Sequence, residues 1–281
     1  MITVTSRALL ALALVTPSQA DAVKEISLSK EVQYNQTSAT VVTRLSARDY
    51  PYSFAAEVNG DSRKFTVSLS PKPKVTLPST SQFVEMYHQK PALGLDSASD
   101  GGWNFGYVGK EYFDNWGTKT KAEFDSAFPN GNYIFTVQGR VINLSLPKDT
   151  YPPAPVVVLK GGRWEGGAYH IDTSKALVIN SGIYQNYGRN LNDYISLDLE
   201  DDTSGNELFD DNQVAKKLFG GPKVSTSKSH SRSIAAGSLK AGHVYYLGSS
   251  FGAIVGQSNS MPNCMSIAFF GTETTVKIVA E

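Results

Sequence analysis

Asp198, Glu200, Asp201, Asp202, Asp210 and Asp211 form the densest acidic cluster in the chain. Calcium wants several carboxylates converging in one loop. The EF-hand spacing fails here, because Gly205 and the missing acid at the twelfth position do not fit it. Strand alternation puts Asp198, Glu200 and Asp202 on one face, so a solvated acidic face is the leading reading and structural calcium at the cluster the other. Gly248-Ser-Ser250-Phe-Gly252 matches the Gly-x-Ser-x-Gly pattern of a hydrolase elbow. That elbow needs a strand, a sharp turn and a helix, with the acid and His following. No His lies after His243, and Ala253-Ile-Val-Gly256 does not read as a helix, so a Gly/Ser-rich turn after a strand is expected. His88, His170, His230 and His243 are scattered. His170-x-Asp172 offers two ligands on one strand face but no third, and zinc needs three or four. Lys160-Gly-Gly-Arg-Trp-Glu-Gly-Gly167 lacks the Gly-Lys-Ser/Thr of a phosphate loop and reads as a strand connection.

The candidate binding segment runs from Gly101 to Gly117. Trp103, Phe105 and Tyr107 alternate at period two, with Tyr112, Phe113 and Trp116 just beyond. Flat rings on a sheet face stack on sugars, with nearby polar groups fixing orientation. The competing reading has one side of this strand lining the core. Trp103, Phe105, Tyr107, Tyr112 and Trp116 are therefore the ligand-binding candidates, and no catalytic residue, metal ligand or cofactor is expected.

The elements that must position these residues read as strands. Residues 24–150 show short alternating runs broken by Gly, Pro, Asn or Asp. They include Tyr52–Val58, a turn at Asn59-Gly60-Asp61, and a return strand Lys64–Leu69. Phe83–Tyr87 is a further candidate strand, and Tyr133–Val137 with Val141–Leu146 make a closing hairpin. Lys121–Ala127 is a helical hint. Tyr151-Pro-Pro-Ala-Pro155 forces an extended connector and marks a domain boundary. Beyond it lie Val156–Leu159, Ala176–Ile179, Tyr194–Leu199, Glu207–Phe209, Ser231–Ile234, Val244–Leu247, Ile267–Phe270 and Thr275–Val279. Asn212–Phe219 reads as a short helix capped by Asp211. No βαβ rhythm appears, which argues against an α/β enzyme fold.

Residues 1–20 read as a secretory signal peptide. Arg7 precedes the apolar run Ala8–Val15, and small residues precede a cut after Ala20. The run is too short to span a bilayer, and no second long hydrophobic segment follows. The remaining chain is nearly neutral, with acids one ahead of bases, which favours neither nucleic acid nor an anionic membrane. The single Cys264 excludes an intramolecular disulfide and reads as a small buried apolar residue.

Two stretches organise the rest: Phe124–Val137, which holds Phe128-Pro-Asn-Gly131-Asn-Tyr133, and Ile234–Tyr246, which holds Leu239-Lys-Ala-Gly242-His-Val-Tyr245. Each sets an apolar anchor, a tight Gly turn and a Tyr at a strand entrance. A Tyr there can bury its ring and send its hydroxyl to an upstream backbone group, as in a sandwich tyrosine corner. The second stretch resembles the turn into strand F of a fibronectin type III or immunoglobulin-like domain, although Ala176-Leu-Val-Ile-Asn180 lacks that family's core Trp. Across both halves the chain is similar to a group of uncharacterised secreted bacterial proteins, through Phe128-Pro-Asn-Gly-Asn-Tyr133 and Tyr151-Pro-Pro-Ala-Pro155. That resemblance implies a fold and no activity. The expectation is an all-β chain of two tandem antiparallel β-sandwich (immunoglobulin-like) domains, 21–150 and 151–281. The expected role is a secreted, non-enzymatic structural or interaction module, outside the cell, on its surface or in the periplasm. Its expected partner is a cell-surface protein or a glycan, the latter making it a carbohydrate-binding protein through Trp103 to Trp116. An enzyme with paired carboxylates drawn from distant strands is the third reading.

Overall fold

The computed structural model describes residues 23–46, 51–60, 67–71, 102–107, 120–218 and 223–281. The stretch expected to be a signal peptide, the expected Phe83–Tyr87 strand, His88, Tyr112, Phe113 and Trp116 lie outside them. Alternation yields strands along most of the described chain. The first half holds β1 (Val23–Gln36), β2 (Val42–Arg44), β3 (Tyr52–Gly60), β4 (Val67–Ser70), β5 (Gly102–Tyr107), β6 (Gly131–Val137) and β7 (Arg140–Leu146). The second holds β8 (Val158–Lys160), β9 (Arg163–Glu165), β10 (Ala168–Ile171), β11 (Leu177–Asn180), β12 (Asn192–Asp201), β13 (Asn206–Val214), β14 (Lys223–Val224), β15 (Ser231–Ile234), β16 (Val244–Gln257) and β17 (Met265–Ala280).

The expected helix is present as α1 (Lys121–Ala127). Thr120 and Glu123 form a reciprocal capping box, which satisfies two otherwise orphaned backbone donors. Phe124 and Ala127 turn into the core. The second expected helix is corrected. Residues 206–214 extend as β13 beside β12, with Asn212 opposite Ser196 and Val214 opposite Tyr194. Asp211 caps nothing; it pairs with Arg232 at 2.8 Å. Burial of Val214 and the ladder outweigh local helix signals.

Pairing changes the domain picture. Two sandwiches, each with its own pair of antiparallel sheets, were expected. Instead one large sheet runs through both halves, in the order β14-β13-β12-β16-β17-β1-β3-β5. β1 lies parallel to β17 from Glu25 opposite Met265 to Gln36 opposite Val276, and β10 and β14 also pair in parallel. Two small sheets, β4-β6-β7 and β15-β11-β8, carry the facing apolar residues. The first core joins Phe54, Phe128, Tyr133 and Phe135 to Ala268 and Phe270 of β17. The second joins Leu177, Ile179, Leu197 and Leu247 to Val276 and Ile278 of the same strand. Even-numbered β17 residues thus serve both cores from one face.

Between those cores the proline connector crosses the sheet. Thr272 and Thr274 donate hydroxyls to the Pro153 and Pro155 carbonyls at 3.0 and 2.8 Å. Gln36 holds both the N–H and the carbonyl of Val157, each at 2.8 Å. The connector is extended, as three prolines require, but it is bolted to the sheet and is no hinge.

Two further expectations change. Among the described residues β4 pairs with β6, and β3 pairs with β1 and β5, so β4 is not the return strand beside β3 that was expected. Gly248–Gly252 is no turn: β16 runs unbroken through it, and β17 likewise joins the two strands expected around Gly271. Both corners are present. Tyr133 donates its hydroxyl to the Pro129 carbonyl at 2.7 Å, and Tyr245 accepts from the Lys240 N–H at 2.8 Å. The β6–β7 hairpin turns through Gln138 and Gly139, both at positive φ, the form that matches strand twist.

Candidate functional site

The sequence candidates disperse. Trp103, Phe105 and Tyr107 occupy β5 positions opposite Val58, Ala56 and Phe54, three residues buried in the first core. Directly opposed positions belong to one face of a sheet, so these are core-side register positions. The acids also part company. Asp201 is buried and takes hydrogen bonds from the Thr203 N–H and the Ser204 hydroxyl, and His243 lies 2.9 Å away. Burial would raise the Asp201 carboxyl, but hydrogen bonds from Ser204 and His243 hold it below its usual value. His170 meets Glu281 at 2.8 Å, while Asp172 accepts from Ser174 in a turn, so the two do not converge. His230 lies 3.2 Å from Gln213. Cys264 is buried, as expected, and burial raises its thiol.

A different constellation assembles on the face of the large sheet that turns away from both cores. Its residues are the odd-numbered positions of β1 and β17 and the even-numbered ones of β12 and β16. Register sets them in rows. Glu31 stands opposite Gly271, then Gly252, then Tyr194. Gln33 stands opposite Glu273, then Ser250, then Ser196. Thr275 stands opposite Gly248, then Asp198.

The strand glycines make room for this face. A Cβ on Gly252 would lie 1.7 Å from the Tyr194 ring, and one on Gly248 would lie 2.3 Å from an Asp198 oxygen. A Cβ on Gly271 would lie 2.9 Å from Glu31 Cγ. These side chains therefore lean over bare backbone on the neighbouring strand. The Gly-x-Ser-x-Gly resemblance has this physical origin and no elbow.

Charge is suppressed across the same rows. Burial, then the charges of Glu273 and Glu57, push the Glu31 carboxyl up to about 8. Burial, then Glu273, Asp210 and Glu207, push Asp198 up to about 7. Glu273 is raised by burial although Gln33 donates to it at 3.1 Å, which opposes the rise. Tyr194 packs edge-on against Phe269 at 5.2 Å between ring centres. The face thus presents carboxyls biased towards the protonated form, a carboxamide and serine hydroxyls beside two rings. Perturbed titratable groups gathered on one half-buried face are a functional-site signal.

Sequence reasoning singled out Asp198 but missed Glu31, Gln33 and Glu273. Their strands are far apart in the chain, and only pairing joins them. Glycine at alternate β16 positions, 248 and 252, was the readable signal. Among the described residues no group of three His, Cys, Asp or Glu is arranged to hold a metal ion. No described helix is long and apolar enough to cross a membrane. The chain matches no protein-family model and no curated protein.

Proposed function

We propose that the chain is an exported, non-enzymatic interaction module whose contact surface is the outer face of the shared sheet. One observation carries this reading: Glu31, Glu273 and Asp198 lie in adjacent rows and are all biased towards the protonated form. Acid–base hydrolysis wants two carboxyls pushed apart, one holding its proton and one ionised. Carboxyls pushed the same way suit hydrogen bonding to a neutral polar partner instead. Export rests on the leader at residues 1–20. The immunoglobulin-like assignment of the second lobe rests on the Leu239–Tyr245 corner.

A glycan is the second reading, favoured by the Tyr194–Phe269 pair beside those hydrogen-bonding groups. A glycan array probed with the mature chain tests both readings. Retention lost in Glu273→Ala and Tyr194→Ala, with melting unchanged, supports a glycan site on this face. Retention lost only on substitution of Trp103 or Trp116 moves the site to the aromatic segment. Glycan cleavage that disappears in Glu31→Gln overturns the non-enzymatic reading.

A further inference from the structure

Lys30 occupies the core face of β1, between Leu28 and Val32, and its side chain has no exposed surface. An ammonium there carries a desolvation cost that an apolar side chain of similar volume avoids. Its Nζ lies 2.8 Å from Asp125 Oδ1 on α1 and 3.1 Å from Asn130 Oδ1 in the loop before β6. It also stands 4.8 Å from the centre of the Phe124 ring. The Asn130 carboxamide is fixed at both ends. Its oxygen accepts from Lys30, and its Nδ2 donates to Asp149 Oδ1 at 2.6 Å. Lys121 ties Asp125 and Asp149 together. A buried amine, a carboxylate within proton-transfer distance and an immobilised amide carbon are the parts an amide exchange needs.

We propose that Lys30 and Asn130 join in an intramolecular amide bond. Asp125 takes a proton from the Lys30 ammonium, and the freed Nζ attacks Asn130 Cγ. The Nζ–Cγ bond forms and the Cγ–Nδ2 bond breaks. Two protons leave Nζ in all, and both end on the departing nitrogen, relayed by the carboxylates of Asp125 and Asp149. Ammonium is released, both carboxylates return unchanged, and no oxidant or cofactor enters the balance. The product ties β1 to the corner loop 100 residues on, spanning the first lobe. A cross-link over that length restricts the unfolded chain in the way a disulfide would, in a protein whose one cysteine cannot supply one.

Intact mass spectrometry and peptide mapping of the purified full chain test this. The expected result is a mass lower by one ammonia and a branched tryptic peptide joining the Lys30 and Asn130 segments. Asn130→Ala, at an exposed position, and Asp125→Asn, which keeps the side-chain shape beside Lys30, should each restore linear peptides, with circular dichroism confirming that both variants fold. A wild-type chain that shows only linear peptides overturns the proposal. So does a branch at any other pair of residues.

Discussion

The two lobes close over the same sheet with different cores. The first is aromatic: Phe54 stacks on Phe128 at 4.5 Å and Tyr52 on Phe124 at 5.4 Å, around the buried Lys30 side chain. The second is mainly aliphatic, with Leu177, Ile179, Leu197, Leu199 and Leu247 at its centre. Both enter through a tyrosine corner, yet the bonds run in opposite senses. Tyr133 donates to a carbonyl and Tyr245 accepts from an N–H. Pro129 has no N–H to offer, so its carbonyl is the only backbone partner it can give Tyr133. The corner is a local device that tolerates either polarity and either core. What the lobes cannot replace separately is β17, which each needs for half of its length.

That comparison can be broken most directly by cutting the chain between 150 and 151. Two independent sandwiches would fold separately. Loss of the long β1–β17 pairing should instead leave both pieces without cooperative melting, measured by circular dichroism and calorimetry. Next in size are core truncations, one in each lobe. Phe54→Ala should cost about 3–5 kcal/mol and Leu247→Ala about 2–5 kcal/mol. Both should move one shared transition; two separable transitions would show that the lobes unfold apart.

The outer face gives a smaller, pH-dependent effect. The folded Glu31 carboxyl titrates at about 8, above its ordinary 4.5, so the native state holds this proton more tightly than the unfolded chain. Its contribution is full below about 4.5 and is lost as pH rises through about 8. Glu31→Gln should therefore raise stability at pH 8 by about 1–3 kcal/mol, discounted for partial solvent screening, and change little at pH 4. Denaturant melts at both values check the sign, and greater wild-type stability at alkaline pH would refute it. Smallest are the corners. Tyr133→Phe and Tyr245→Phe should each cost about 1 kcal/mol, and by similar amounts, since one hydrogen bond is lost at each. A cost confined to one corner would end the equivalence.

Much of the fold was legible in sequence. Alternation gave most strand segments, the Lys121–Ala127 run gave α1, and the Gly-x-Tyr pattern gave both corners. Failures fell where a residue answers to a distant strand. Gly271, Gly248 and Gly252 looked like breaks, but each is the floor beneath a side chain from the next strand. Asn212 and Gln213 looked helical, but their partners on β12 hold them extended. Asp198 was visible as one acid of a local cluster; its neighbours across the sheet, on β1 and β17, were not.

By itself, the sequence determined what is local: strand periodicity, capping, turn chemistry and the tyrosine anchors. These depend on residues a few positions apart, where backbone sterics and short hydrogen bonds decide. Tertiary structure alone decided that the halves share a sheet, that the proline connector is pinned, and that Glu31, Gln33 and Glu273 meet. Pairing between strands more than 200 residues apart is set by which faces bury together over the whole chain, and no short window contains that information.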